Sequence, residues 1–199
     1  PVSRRTKYVR LEGELQHAGV YEIRPAETLR QLLIRVGGIT PNAYLFGAIF
    51  TRDSTRIEQQ KNLDEALNRL ERDVQRYNIV RAQNVTSGED AASLKQLAEN
   101  QQQLIARLRQ IRATGRIVLE IPESGELRDV PDLPLEDGDR LVIPSTPSMV
   151  SVFGSVYSEN SFIYRPQKQV SDYLSQAGGP TRSADKSSIY VLRADGSVL

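Results

Sequence analysis

The sequence has no cysteine, no tryptophan, one histidine and one methionine. Without cysteine there is no disulfide and no thiolate metal site, an absence that is neutral on compartment. With His17 as the lone imidazole, no ordinary zinc ligand set can be assembled. Charge of one sign is also missing: 26 Lys and Arg balance 25 Asp and Glu, for a net +1. That balance excludes the basic stripe by which a protein holds nucleic acid. No apolar run approaches the ~20 residues that span a bilayer. There is no secretion signal, but the first residue is Pro1 and the last, Leu199, follows a hairpin signal at 194–197. The sequence therefore reads as an excised piece of something longer, in which a missing signal carries no information about the parent.

What is present is a duplication. Residues 9–52 repeat at 150–193, at a constant offset of 141 and with no gap. Val9 falls on Val150, Gly13 on Gly154, Arg24-Pro25 on Arg165-Pro166 and Leu33 on Leu174. Gly37-Gly38 falls on Gly178-Gly179, Thr40 on Thr181, Ala43 on Ala184 and Arg52 on Arg193. The matches are glycines, prolines and apolar positions, the residues that dictate backbone shape and core.

In the first copy, Tyr8-Val9-Arg10-Leu11 alternates as a strand, and residues 13–19 turn into a second strand at 20–23 that Pro25 ends. Thr28 is an N-cap for a helix with Leu29, Leu32, Leu33 and Val36 on one face, stopped by Gly37-Gly38. A third strand is expected near 48–51. The second copy repeats this. Val150, Val152 and Val156 form a strand, and 162–164 a second. Val170, Tyr173, Leu174 and Ala177 form a helix face, and 189–192 a further strand. Leu29, Leu33, Val36 and Ile49 are expected to share one core, and Val170, Leu174 and Val191 another. The order β-β-α-β, with a short helix on a mixed sheet, predicts an α+β fold of two tandem β-grasp domains.

Between the copies, Leu63, Leu67, Leu70, Val74 and Tyr77 recur by threes and fours. So do Leu94, Leu97, Leu104, Leu108 and Ile111, with Gln101 breaking the stripe. These predict an antiparallel helical hairpin inserted in the first domain, joined near 84–90, where Thr86 and Glu89 have capping-box spacing. It serves either as a spacer or docking arm or as a cover for its own domain. Residues 117–121 then read as a strand. The turn 135–139 leads into Arg140-Leu141-Val142-Ile143-Pro144, a strand that closes the first sheet. The second copy needs the same closing strand, and the sequence stops before it. The expected division is 1–147 for domain 1, with its insertion at 53–113, and 148–199 for domain 2, truncated at its C-terminus.

No residue set assembles a catalytic or cofactor centre. His17 falls in a turn and is read as a solvated turn residue; its counterpart is Ser158. Asp137 and Asp139 lack the remaining oxygen ligands of a calcium loop and read as turn charges. The glycine pairs follow helices instead of preceding them, unlike a phosphate loop. No paired-carboxylate hydrolase site can be placed. Tyr44 and Phe46 align with Asp185 and Ser187, so the copies share no aromatic platform and no tight sugar pocket is expected. Arg52 and Arg193 are the candidate ligand or subunit contacts, because both end the same strand and a guanidinium suits bidentate contact with carboxylate or phosphate. A local ion pair within the domain is the other reading.

The segments 9–15, 28–38, Ala43 and Arg52, with their counterparts 150–156, 169–179, Ala184 and Arg193 and the element at 135–144, resemble the soluble-ligand-binding β-grasp family. The form they resemble is that of bacterial outer-membrane polysaccharide export proteins. The resemblance implies no enzyme and no cofactor. It implies the periplasmic portion of an outer-membrane-associated protein whose modules stack into rings as a homo-oligomer. The implied cargo is a capsule or exopolysaccharide, with an inner-membrane chain-length or export partner. The long helical insertion departs from the compact exporters. The alternative is a β-grasp module without a transport role that captures a soluble ligand such as a glycan or a corrinoid, or single-stranded DNA during uptake, the last opposed by the near-neutral charge.

Overall fold

The alternation at the start of the first copy becomes a strand. In the computed structural model, which describes residues 6–83 and 88–199, β1 (Tyr8–Gly13) turns Val9 and Leu11 into the core. It pairs antiparallel with β2 (Gly19–Glu22). Helix α1 (Leu29–Arg35) opens on a reciprocal cap. The Gln31 N–H donates to the Thr28 hydroxyl, and the Thr28 N–H donates to the Gln31 side chain. Leu29, Leu32 and Leu33 are fully buried. Gly37, at φ +96°, ends the helix in a conformation that a side chain would strain.

A single 3-10 turn, Leu45–Gly47, leads to β3 (Ile49–Thr51). Here the expected core is corrected: Ile49 is 36% exposed, and Phe50 is the fully buried residue. Successive strand residues face opposite sides, so only one of the two can point inward.

Helices α2 (Asp53–Ala82) and α3 (Gly88–Leu108) pack against each other. Asn78 bonds Gln101, Arg109 bonds Asn68 and Glu71, and Gln60 accepts from the Ala113 N–H. Partner numbers thus fall along one segment as they rise along the other. Leu67 and Ile105 are the buried residues of this pair. Leu70, Tyr77, Leu104 and Ile111, expected in the seam, are exposed. Leu104 and Ile105 lie about 100° apart around a helix, so only one faces the partner, and Ile111 lies beyond the end of α3. Gln101, expected to break the stripe, accepts a hydrogen bond from Asn78 at 3.0 Å. The cap expected at Thr86 lies outside the described residues.

The strand expected at 117–121 shortens to β4 (Arg116–Ile117). Glu120 sits at φ +53° and Pro122 follows, and both interrupt extended pairing. β5 (Arg140–Ile143) then runs parallel to β1, with Arg10 opposite Arg140 and Gly13 opposite Ile143. The sheet order is β2-β1-β5-β3-β4. Leu141 and Ile143 close the core over Val9, Leu11 and Phe50.

In the second copy β6 (Met149–Val152) pairs antiparallel with β7 (Asn160–Ile163), and α4 (Val170–Gln176) follows. Tyr173 and Ala177 are buried there, but Val170, expected in the core, is 52% exposed. Residues 189–192 form no ladder with β6. Instead Leu192 bridges Val198. Its counterpart β3 lies beside β5, and among the described residues the second copy has no strand in that place.

The chain divides into two compact units, Pro1–Phe50 with Val118–Leu199, and Thr51–Ile117. Among the described residues no helix is long and apolar enough to cross a membrane.

Candidate functional site

Arg193 opens the turn that ends the second copy. The Gly196 N–H donates to its carbonyl, and its own N–H donates to Ser197. This two-sided hold aims the guanidinium at the first copy. It lies 4.7 Å from the centroid of the Phe46 ring and 2.5 Å from Glu123 Oε1. Phe46 is fixed by the Leu45–Gly47 turn and by an edge contact with Tyr44, at 5.8 Å between centroids. Burial pushes the Tyr44 hydroxyl pKa up. Glu123, Tyr164 and Asp195 add to the rise, and Arg193 partly opposes it. The group is therefore a guanidinium stacked on an aromatic ring, with exposed Glu123 as its anion. Such a set recognises a planar anion by charge and by two parallel hydrogen bonds.

Arg52 belongs to the other compact unit, where it is the N-cap position of α2. Its N–H donates to the Gly115 carbonyl at 3.0 Å, and its carbonyl accepts from the Arg56 N–H at 2.9 Å. The two arginines share a sequence position but not a local environment.

The remaining polar candidates resolve into structure. His17 Nδ1–H donates to the Val36 carbonyl at 2.9 Å, satisfying a carbonyl at the end of α1. Asp137 Oδ1 accepts the Tyr8 N–H, and buried Asp139 accepts the Glu136 N–H. Both therefore pin the turn before β5. Among the described residues no group of three His, Cys, Asp or Glu is arranged to hold a metal.

Glu27 was not singled out by the sequence pattern, yet it is buried and anchors α1. Arg35 grips its carboxylate with Nε at 2.6 Å and Nη2 at 2.9 Å, and the Arg24 N–H donates at 3.0 Å. Burial alone pushes the Glu27 carboxyl up. These donors outweigh it and hold the group below its ordinary value. The second copy has Lys168 and Gln176 at these positions, and Lys168 lies 5.5 Å from the Tyr173 ring instead. Glu123 was likewise missed. It stands 70 residues from Arg193, and no local pattern links them.

Comparison with known families decides what this doubled arrangement is. The SLBB domain matches twice, over residues 8–57 and 149–199. The chain belongs to the SLBB domain family. Two curated relatives, both the polysialic acid transport protein KpsD of Escherichia coli, align with it at 27% identity. One alignment covers 98% of this chain and the other 96%. Each covers 32% of the relative, so the chain spans about a third of the length of the proteins it matches.

Proposed function

We propose that this SLBB chain is part of a polysaccharide export protein. On this reading it belongs to the periplasmic portion of an outer-membrane-associated conduit, where its modules stack into rings. The observation that carries the reading is the doubled SLBB match, in a chain of which 98% aligns with a polysialic acid transport protein. Each copy is taken as a β-grasp domain, 1–147 and 148–199. The first carries an antiparallel helical hairpin at 53–113, a spacer or docking arm. Head-to-tail contacts that close would make the ring. Capsule or exopolysaccharide would pass without chemistry, and an inner-membrane chain-length partner would feed it.

Arg52 and Arg193 are the proposed ligand or subunit contacts. Arg193 would act by exchanging Glu123, whose side chain is 69% exposed, for an incoming carboxylate. The second reading, a soluble-ligand-binding module without a transport role, is favoured by that same stacked guanidinium.

Mass measurement of the intact parent protein in detergent tests the first reading. A closed multimer is expected, and a monomer would overturn it. Titration with acidic oligosaccharide tests the second reading, for which saturable binding by a monomer, lost in Arg193→Ala, is expected.

A further inference from the structure

The compact unit Thr51–Ile117 carries a polar groove along one flank of its helical pair. Glutamines of α2 fix its floor. Gln60 accepts from the Ala113 N–H at 2.9 Å, and Gln59 accepts from the Gly115 N–H at 3.1 Å. The Gln59 amide donates back to the Arg116 carbonyl at 3.1 Å. Side chains of α2 thus hold the segment that enters β4. Gly115, buried at φ +72°, lets that segment lie close, since a Cβ there would stand 2.8 Å from Arg56 Cβ.

The groove over this floor has a volume of about 700 Å³. Arg56, Gln60, Asp64, Asn68, Arg109 and Arg112 line it. The first four recur every fourth residue and share one face of α2. They run about 18 Å along the helix at 1.5 Å per residue. A second hollow, of about 380 Å³, shares those four residues and adds Lys61, so the groove continues over the outer side of α2.

Most of the lining charges already have partners. Arg109 donates to Asn68 and Glu71, Arg56 to Asp53 at 3.1 Å, and Gln60 to Asp64 at 2.9 Å. Arg112 differs. Its Nη1 donates to the Arg109 carbonyl at 2.8 Å and to the Ile111 carbonyl at 3.4 Å, which holds the guanidinium beside the end of α3. Among the described residues no carboxylate pairs with it. The groove therefore offers one uncompensated cation among groups that give and take hydrogen bonds. Arginine only donates, the amides of Gln60 and Asn68 do both, and Asp64 accepts. Such a set suits a chain of hydroxyls that bears isolated carboxylates. Asp64 and Glu71 repel denser negative charge, so phosphate and nucleic acid are disfavoured.

We propose that this groove binds a carboxylated oligosaccharide, with the carboxylate on Arg112 and the hydroxyls on Gln60, Asp64 and Asn68. The proposal rests on the export reading and names the class of its cargo. The site is distinct from that at Arg193, which belongs to the other compact unit.

The test titrates the whole chain, labelled with nitrogen-15, with two carboxylated probes. One is a galacturonic acid hexamer, and the other a hexamer alternating glucuronic acid with N-acetylglucosamine. Amide and arginine side-chain shifts are followed residue by residue. Saturable shifts at Gln60, Asn68, Arg112 and Ala113 are expected with at least one probe, weakening with added salt. Arg112→Gln should weaken binding at least tenfold, and Arg193→Ala should leave it within twofold. Arg112→Lys keeps the charge without the planar fork and should fall between the parent and Arg112→Gln, which also covers the case in which Arg112→Gln disturbs the fold. The further arms are the methyl ester of the galacturonic acid hexamer, inorganic phosphate and a glutamate-rich peptide. No groove shifts with either hexamer would overturn the proposal. So would equal binding of the ester or of phosphate. Tighter binding of the peptide would overturn it too, by assigning the groove to a protein partner. Shifts confined to Phe46 and Arg193 would overturn it and leave the export reading standing. A monomeric parent in detergent would overturn that reading without moving these shifts.

Discussion

The same backbone plan is written twice in this chain, yet it buries its apolar residues well in one place and poorly in the other. Leu29 is fully buried and Val170 is half exposed, although both open the same helix at the same sequence position. The helices themselves are equally well made. Thr28 with Gln31, and Gln169 with Asp172, form reciprocal caps, and both helices span seven residues. What differs is the neighbour. The first copy has β5 and the segment before it, and a Glu27–Arg35 pair that ties α1 down. The second has neither. The contrast separates what makes a helix from what buries it: capping and periodicity are local, whereas burial depends on a strand that arrives more than a hundred residues later in the chain.

The comparison can be broken most forcefully at the glycines. Gly13→Ala should destabilise the chain by about 3 kcal/mol or more, because the added methyl meets the β5 backbone and the positive φ is strained as well. Gly154→Ala should cost only the backbone strain, about 1–2 kcal/mol. Urea unfolding of the two variants measures the gap, and equal losses would mean that the two sites are packed alike. The helix openings come next. Leu29→Ala should cost about 3 kcal/mol, and Val170→Ala less than about 0.5 kcal/mol.

Arg35→Ala tests the ion pair and should cost about 2 kcal/mol, below the range for a fully buried pair because Arg35 is partly exposed. Its pH signature is distinct. The Glu27 pKa is lower in the folded than in the unfolded chain, so its stabilising contribution is present above the ordinary carboxylate value of 4.5 and is lost as pH falls through the depressed one. Stability measured from pH 6 downward (range on the order of three units) should therefore fall more steeply in the parent than in Arg35→Ala. Lys168→Ala, at the Glu27 position of the second copy, should leave that slope unchanged. The smallest effect belongs to the contact between the copies. A double-mutant cycle on Arg193 and Glu123 should give a coupling of about 0.5–1 kcal/mol that weakens with added salt.

Much of this architecture was legible beforehand. The duplication at fixed offset, both strand pairs, both short helices with their glycine stops, and the strand at 140–143 follow from period and punctuation. Two errors came where apolar residues were adjacent and only one could face inward: Ile49 against Phe50, and Leu104 against Ile105. Period alone does not choose between neighbours when the identity of the packing surface is unknown. The candidate site was half legible. Arg193 stood out because it repeats Arg52, but Phe46 and Glu123 reach it only through the tertiary fold.

The order of amino acids by itself determined that a small module occurs twice, which family it belongs to, and where the two short helices of the module start and stop. These are short-range matters of rotamer, cap and backbone freedom. Tertiary structure alone decided what the matched arginines touch and that Glu27 carries a buried charge. Each of these depends on groups whose burial, solvation and electrostatics exist only once the chain has folded, whether the partners lie 8 residues apart, as Arg35 and Glu27 do, or 70, as Arg193 and Glu123 do.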